Sequence, residues 1–590
     1  MPIRFGATAC LLLLAACADR SYPFDPEQPG SGPAALLGDR AVLNSEFAGG
    51  SSATPSPAAV TPTDDTALPS CDADCRNYCS GLGLTNPVDA AACRALWGVG
   101  LTSQPVDRVE ACRRLHADLL GHLPTQQQIA DRCGTRPFSE VVADMLADPR
   151  FVRVQQRHWA DLLRYQNETV SLERIYDADL LVGMLYEGKL AYDEFAAVVS
   201  AHPVLTRRYD AASDRAEALF ALLLGRPPYD HERADMARLY NLWNNGYYDH
   251  PTLGERLPDA VIRFRCLDDS GQVDPDGKGD CTSVLWGYKE LILTPDYRSE
   301  DGELWSGLLH ADEWHALQEP GRIIASMGGF WEHAAEQVLQ RYLGYDLGEL
   351  VPEVADSLVA YILDHNGDMR ALHYAVATSQ LYLQSNGGQT PTAHRHTYGP
   401  LKQIQVEPWL DTIKATTGYD LASCDHRLPN PNPLLNTESP DALALVDASD
   451  WELTANGQIR DDYLDLARTL GGCPDNGVGG RFTTISILTT ATQEGFVARV
   501  CNPGQNADQG AAIERLLPPG LSPEAALQED VARDITVHQI QTFFGREPLA
   551  TELTRAKEAA AQCAPKPCSA TDFARPLCYA LLSSSELLFY

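Results

Sequence analysis

Several things are missing from this chain, and each absence narrows what it can be. No Cys-x-x-Cys-His occurs anywhere, which excludes covalent attachment of a c-type haem in the usual way. There is no Gly-x-Ser-x-Gly, no P-loop and no Gly-x-Gly-x-x-Gly, so the common signatures of serine hydrolases, nucleotide hydrolases and dinucleotide enzymes are lacking. Positive charge is scarce: 46 Lys and Arg face 80 Asp and Glu, a formal net charge of −34 at pH 7. That balance argues against nucleic acid and anionic lipid surfaces as partners, since both need basic patches. It fits an acidic solvated surface, or attraction of cations and basic proteins. Beyond the N-terminus no apolar run approaches the ~18 residues that a spanning helix needs. Strand signals are few, the best being Arg481–Leu488, expected to pair in a small sheet.

What is present begins at the N-terminus. Arg4 gives a short positive region, and Phe5 to Leu14 form an apolar run of signal-peptide length. Leu14-Ala15-Ala16-Cys17 then matches a lipobox, in which Cys17 carries lipid and becomes the first mature residue. An ordinary signal peptide cleaved near Ala18 is the plainer alternative. Acyl chains on Cys17 would make a stable anchor at about 0.8 kcal/mol per buried methylene. Ala18 favours the outer membrane by the usual sorting logic. Residues 18–70 are rich in Pro, Ala, Gly and Ser without helical or strand period, and read as a tether reaching on the order of 40 Å. The expected organisation is a signal peptide over 1–17, the tether over 18–70, and helical domains over 71–300 and 301–590.

Sixteen cysteines less Cys10 and Cys17 leave an even number for an oxidising compartment, where disulfides are the default. Sequence-near pairing predicts Cys112 with Cys133, Cys266 with Cys281, and two bridges among Cys71, Cys75, Cys79 and Cys93. The cysteines from Cys424 to Cys578 can supply further bridges, of connectivity the sequence leaves open. Cys71, Cys75 and Cys79 also share one helical face, so a thiolate metal site is the alternative there.

Helical period dominates the rest. Val109, Cys112, Leu115, Leu119 and Leu120 make one apolar face, which Gly121 can end in the left-handed conformation. Pro124 and Thr125 then open the next helix, with Gln128 placed for a capping box. The phrase Gly-x-x-Pro-x-x-x-(Glu/Gln) recurs at Gly121/Pro124/Gln128, Gly225/Pro228/Glu232 and Gly545/Pro548/Glu552, with a looser version after Leu343-Gly344. A second phrase follows at Leu146/Pro149/Phe151, Ile292/Pro295/Tyr297, Val376/Ser379/Leu381 and Leu582/Ser585/Leu587, where Pro or Ser closes one helix and opens another. The expected fold is mainly α: repeated helix-turn-helix units, long disulfide-braced loops and at most a small β element.

Arg113-Arg114-Leu115, Asp118-Leu119, Gly121-x-x-Pro124-Thr125, Leu146-x-x-Pro149-x-Phe151 and His158-Trp159-x-Asp161-Leu162-x-Arg164-Tyr165 together carry a family resemblance. They resemble the first of the cytochrome-associated helical domains of unknown function described from planctomycete-type exported proteins. Ala371-Leu372-His373-Tyr374 and the stretch from Phe544 to Phe589 resemble the start and finish of that domain's usual companion. Gly307–His310 to Arg341–Gly344 is similar to a related exported helical family. The resemblance implies an exported helical protein of unassigned function, of a kind often encoded beside exported sulfatase-like proteins or cytochromes. It offers no catalytic residues to carry over.

Three constellations have chemical potential. His158, Trp159, Asp161 and Arg164 lie on one polar helix and suit an anionic or sugar-like ligand; an internal ion-pair network is the plain alternative. His310, Glu313, His315 and His333 hold metal-binding types, but not at the His-Glu-x-x-His spacing. Asp274, Asp276 and Asp280, between Cys266 and Cys281, suit a hard cation such as calcium, although Leu285 stands where an EF-hand needs its last carboxylate. No other cofactor is implied. The sequence therefore reads as an outer-membrane lipoprotein of a bacterial envelope, facing periplasm or surface, and as a non-catalytic binding or scaffold protein. Its alternatives are an electron-transfer accessory that docks a cytochrome, and an envelope hydrolase of glycans or sulfated polymers.

Overall fold

The computed structural model describes residues 71–95, 105–163, 181–201, 205, 209, 211–244, 248–249, 256–257, 296–298, 304–306, 318–344, 352–385, 399–419, 466, 469–472, 486–503, 510–563 and 567–590. These are mainly helical, as the periodicity predicts. Among the described residues the named strands form two antiparallel pairs, Tyr248–Asp249 with Arg256–Leu257 and Asp296–Arg298 with Leu304–Ser306. Among the described residues no helix is long and apolar enough to cross a membrane. Among the described residues five disulfides brace the fold: Cys71–Cys75, Cys79–Cys93, Cys112–Cys133, Cys501–Cys578 and Cys563–Cys568. Cys71, Cys75 and Cys79 are thus all engaged in disulfides. Cys17, Cys266, Cys281, Asp274, Asp276 and Asp280 lie outside the described residues, as do His310, Glu313 and His315.

The repeated corner is real and its chemistry is conserved between copies. Gly121, Gly225 and Gly545 all take left-handed φ, at 73°, 65° and 70°, where an L side chain is strained. After Gly225, both guanidinium nitrogens of Arg226 donate to Glu232 (2.7 and 2.8 Å), whose carboxylate also accepts from the Tyr229 amide at 2.7 Å. After Gly545, Arg546 donates to Glu552 in the same fork (2.9 and 2.7 Å), and Glu552 accepts from the Leu549 amide at 2.7 Å. The first corner has His122 and Gln128 in those places; Gln128 Oε1 still accepts from the Thr125 amide at 2.9 Å. Gly344 ends its helix at φ 73° as well.

The second phrase divides. Helix Phe138–Leu146 gives way to Pro149–Leu163, and Ala570–Leu582 to Ser585–Leu588, as expected. Met369–Ala377 ends at its cap Thr378, and the described residues that follow it, 379–385, are turns and a bridge rather than a helix. Tyr297, by contrast, lies in a strand opposite Trp305, not at a helix corner. The strand expected at Arg481–Leu488 is also corrected: Ile487 and Leu488 open helix Ile487–Cys501, because Ser486 and Thr489 form a capping box that outweighs their β propensity. Arg481 to Ile485 lie outside the described residues.

Among the described residues two large apolar cores result, beside a small cluster of Cys75, Cys79 and Cys93. The larger runs from Val88 to Tyr382, and the smaller joins Ala117 and Leu123 to residues from Ile404 to Leu587. The division expected at 300/301 runs through the larger core, since helix Glu319–Ala325 packs directly on Tyr192–Ala201. Their approach is close: a Cβ on Gly321 would lie 2.1 Å from the Ala196 carbonyl oxygen. The first corner belongs to both cores, Leu119 and Leu120 to one and Ala117 and Leu123 to the other.

Candidate functional site

A cleft of about 360 Å³ opens where the two cores meet. Helix Pro149–Leu163 supplies Val154, Arg157, His158, Asp161 and Leu162. Their three- and four-residue spacing puts them on one stripe, while Phe151, Val152, Trp159 and Leu163 turn inward. Helix Phe330–Leu343 adds Gln337, Gln340 and Arg341 by the same rule. Gln405, Glu407 and Pro408, at the start of helix Val406–Thr417, complete the wall. Its volume is at the small end of ligand clefts, which run to ~300–1,000 Å³.

The polar groups here are held in place. Arg157 donates to Asp411 at 2.7 Å, and its side chain is only 9% exposed. Arg341 donates to Gln155 Oε1 at 2.6 Å. Glu407 is buried. Two larger depressions, among Gln528, Arg533 and Lys557 and around Arg575 and Tyr579, lie on the outer faces of the C-terminal helices. Glu529, Arg533 and Lys557 are exposed there, and the Lys557–Glu529 ion pair, at 2.6 Å, is screened by water. The seam cleft is the candidate site for that reason.

Of the residues singled out in the sequence, His158 and Asp161 reach this cleft. Trp159 does not: it is 2% exposed, its indole nitrogen donates to the Tyr186 hydroxyl at 3.1 Å, and its ring meets Phe195 edge-on. Arg164 lies outside the described residues. His333 packs against the second corner, where a Cβ on Gly225 would lie 2.4 Å from its ring. Burial lowers its pKa, and the Leu222 carbonyl pulls the other way.

Behind Arg341 lies a buried polar knot. The Arg341 carbonyl accepts from Lys402 Nζ at 3.2 Å, and the same ammonium donates to Asp118 Oδ2 at 2.5 Å. Tyr382 donates to Asp118 Oδ2 at 2.7 Å and Tyr590 to Oδ1 at 2.8 Å. Tyr342, Tyr382 and Tyr590 place their rings 5.0 to 5.9 Å from the ammonium. Burial lowers the Lys402 pKa, and Asp118 opposes it; burial also lifts Tyr382 and Tyr590 well above the phenol range. The knot ties the first corner to the last residue of the chain.

Comparison with known proteins adds one finding. Residues 87–219 match the family model described as PSCyt2, a protein of unknown function (DUF1549). No curated protein and no solved structure matches the chain. The matched stretch contains the first corner and the His158/Asp161 wall of the cleft, whereas the second corner, Arg341 and Glu407 lie beyond it. Arg341, Gln337 and Gln340 had a legible signal in their helical spacing; Glu407 and the Asp118–Lys402 contact had none.

Proposed function

We propose that this chain is a membrane-anchored lipoprotein of a bacterial cell envelope that works as a non-catalytic binding or scaffold protein. The anchor rests on the lipobox at Cys17 and the tether that follows it. The binding role rests on one observation, the seam cleft, where Arg157, His158 and Arg341 face carboxylates and amides within one concavity. That mixture of donors and acceptors matches a hydroxyl-rich ligand carrying an anion, such as a carboxylated or sulfated glycan segment. Its groups are pre-arranged by Asp411 and Gln155, which reduces the ordering cost of binding.

A second reading has its own observation. Asp161 and Glu407 both line the cleft, and a pair of carboxylates is the machinery of glycoside hydrolysis. One experiment separates the two. The purified protein is titrated calorimetrically with neutral, carboxylated and sulfated oligosaccharides, and the mixtures are then analysed for cleavage. Saturable binding of an anionic glycan without products supports the binding protein. Products that disappear in Glu407→Gln transfer the assignment to a hydrolase, and heat-silent titrations throughout remove glycans as the ligand.

A further inference from the structure

Helix Pro149–Leu163 buries an amide on its core-facing stripe. Gln155 is fully buried, one turn from Phe151 on one side and from Trp159 on the other. Its Oε1 accepts from Arg341 Nη1 at 2.6 Å, but its Nε2 has no hydrogen-bond partner among the described residues. A buried donor left unsatisfied is costly, and a methionine of similar length would leave none. Packing therefore does not explain the amide. What it does is hold a guanidinium that lines the seam cleft.

An amide in that place, rather than a carboxylate, leaves the charge of Arg341 in being. Arg157, also in the cleft wall, is neutralised by Asp411 at 2.7 Å. His158, Asp161 and Glu407 have partners of their own. Arg341 has no carboxylate partner among the described residues. Asp118, reached through its backbone carbonyl and Lys402, is paired with that ammonium at 2.5 Å. The charge is felt in the core: burial lowers the pKa of His373 and of Lys402, and Arg341 acts in the same direction on each. With Nη1 on Gln155, the Nε–Nη2 edge of Arg341 has no protein partner among the described residues. That edge presents two parallel donors, the geometry that meets two oxygens of one oxyanion.

We propose that Arg341 is the anion seat of the seam cleft, and that Gln155 is the positioning residue that sets the cleft's preference for an anion. The seat takes one singly charged oxyanion that offers two oxygens on one edge, a sulfate ester or a carboxylate. The assignment rests on the cleft being a binding site, and it deepens that reading by giving the anion to Arg341 rather than to Arg157. Charge supports a single negative group. Asp161 and Glu407 line the same concavity and would repel the second charge of a phosphate monoester. Gln337, Gln340 and Gln405 line it as well, and their amides suit the hydroxyls around the anion. Gln155→Glu would keep the length and shape of the side chain but put a carboxylate on Arg341, filling the seat from within.

The test reads arginine modification and binding on the purified protein. Phenylglyoxal labelling is mapped by mass spectrometry in wild type, Gln155→Glu and Gln155→Met, with methyl sulfate or acetate as the protecting probe at constant ionic strength. Methyl sulfate, acetate or both should slow labelling of Arg341 in wild type and leave Arg157 unchanged, and the effect should vanish in Gln155→Glu. The more protective probe tells which oxyanion the seat prefers. Calorimetry then gives the ratio of affinities for an anionic and a neutral oligosaccharide. That ratio should fall about tenfold or more in Gln155→Glu. It should persist in Gln155→Met, which loosens the guanidinium but keeps its charge. A merely structural role would weaken both sugars equally and leave the ratio unmoved. Should Gln155→Glu fail to fold, Arg341→Lys, which keeps the charge and loses the two-donor edge, should still lower the ratio. No protection of Arg341 in wild type, protection undiminished in Gln155→Glu, or protection of Arg157 in its place overturns the proposal. Protection of Arg341 with no oligosaccharide bound removes glycans and leaves the seat standing. Oligosaccharide binding with an unmoved ratio removes the seat and leaves the binding protein standing.

Discussion

Lys402→Met tests the polar knot that joins the two cores. The Lys402 and Asp118 side chains are 12% and 8% exposed, and their contact is 2.5 Å. Removing the ammonium leaves a buried carboxylate facing only the hydroxyls of Tyr382 and Tyr590. Breaking a buried pair in this way costs about 3–5 kcal/mol, because the remaining charge is uncompensated. Methionine fills much of the lysine stem volume, so the loss is electrostatic rather than a cavity. Asp118→Asn combined with Lys402→Met should recover part of the loss. Denaturant unfolding of wild type, both single variants and the double variant closes the cycle. A deficit below about 1 kcal/mol for Lys402→Met would show that the pair does not hold the two cores together.

Tyr590→Phe removes one hydrogen bond to the same carboxylate and should cost about 1.5–3 kcal/mol by thermal or denaturant unfolding; no change would mean the last residue is not latched. Gly321→Ala places a Cβ against the Ala196 carbonyl oxygen and should destabilise by about 1–3 kcal/mol through forced separation of the two helices. Asp89 gives a pH signature: burial raises its pKa from 3.8 to about 6, opposed by the amides of Gln380 and Leu381. The folded chain therefore holds that proton longer than the unfolded one. Its contribution is full below pH 4 and falls by roughly 3 kcal/mol as pH rises through 6. Asp89→Asn keeps the acceptor for the Gln380 amide and should flatten this part of the stability profile, being more stable than wild type at pH 7.

The corners were readable from sequence because capping is local. Gly121, Thr125 and Gln128 act within one turn, and the structure uses them as the residue types require. The Cys112–Cys133 bridge was readable for a similar reason, the two cysteines flanking a single corner. The cleft was half readable. His158 and Asp161 share a stripe, but Trp159 is turned roughly 100° from His158 and joins the core face instead. Arg341, Glu407 and the Asp118–Lys402 contact bring together residues hundreds of positions apart, and nothing in local periodicity encodes such pairings. The same limit applies to helix Glu319–Ala325, which docks on Tyr192–Ala201 through the small residues Gly321 and Ala196, with no sequence-visible signal of partnership.

Placement of the ligand in the seam cleft is tested by calorimetric affinity for the tightest anionic oligosaccharide in wild type, in Asp161→Asn/Arg341→Gln, and in Arg533→Ala at the exposed depression near Lys557. If the cleft holds the ligand, affinity falls at least about tenfold in the cleft variant, a loss of about 1.4 kcal/mol, and is unchanged in Arg533→Ala. Undiminished binding in the cleft variant, or loss only in Arg533→Ala, would contradict it.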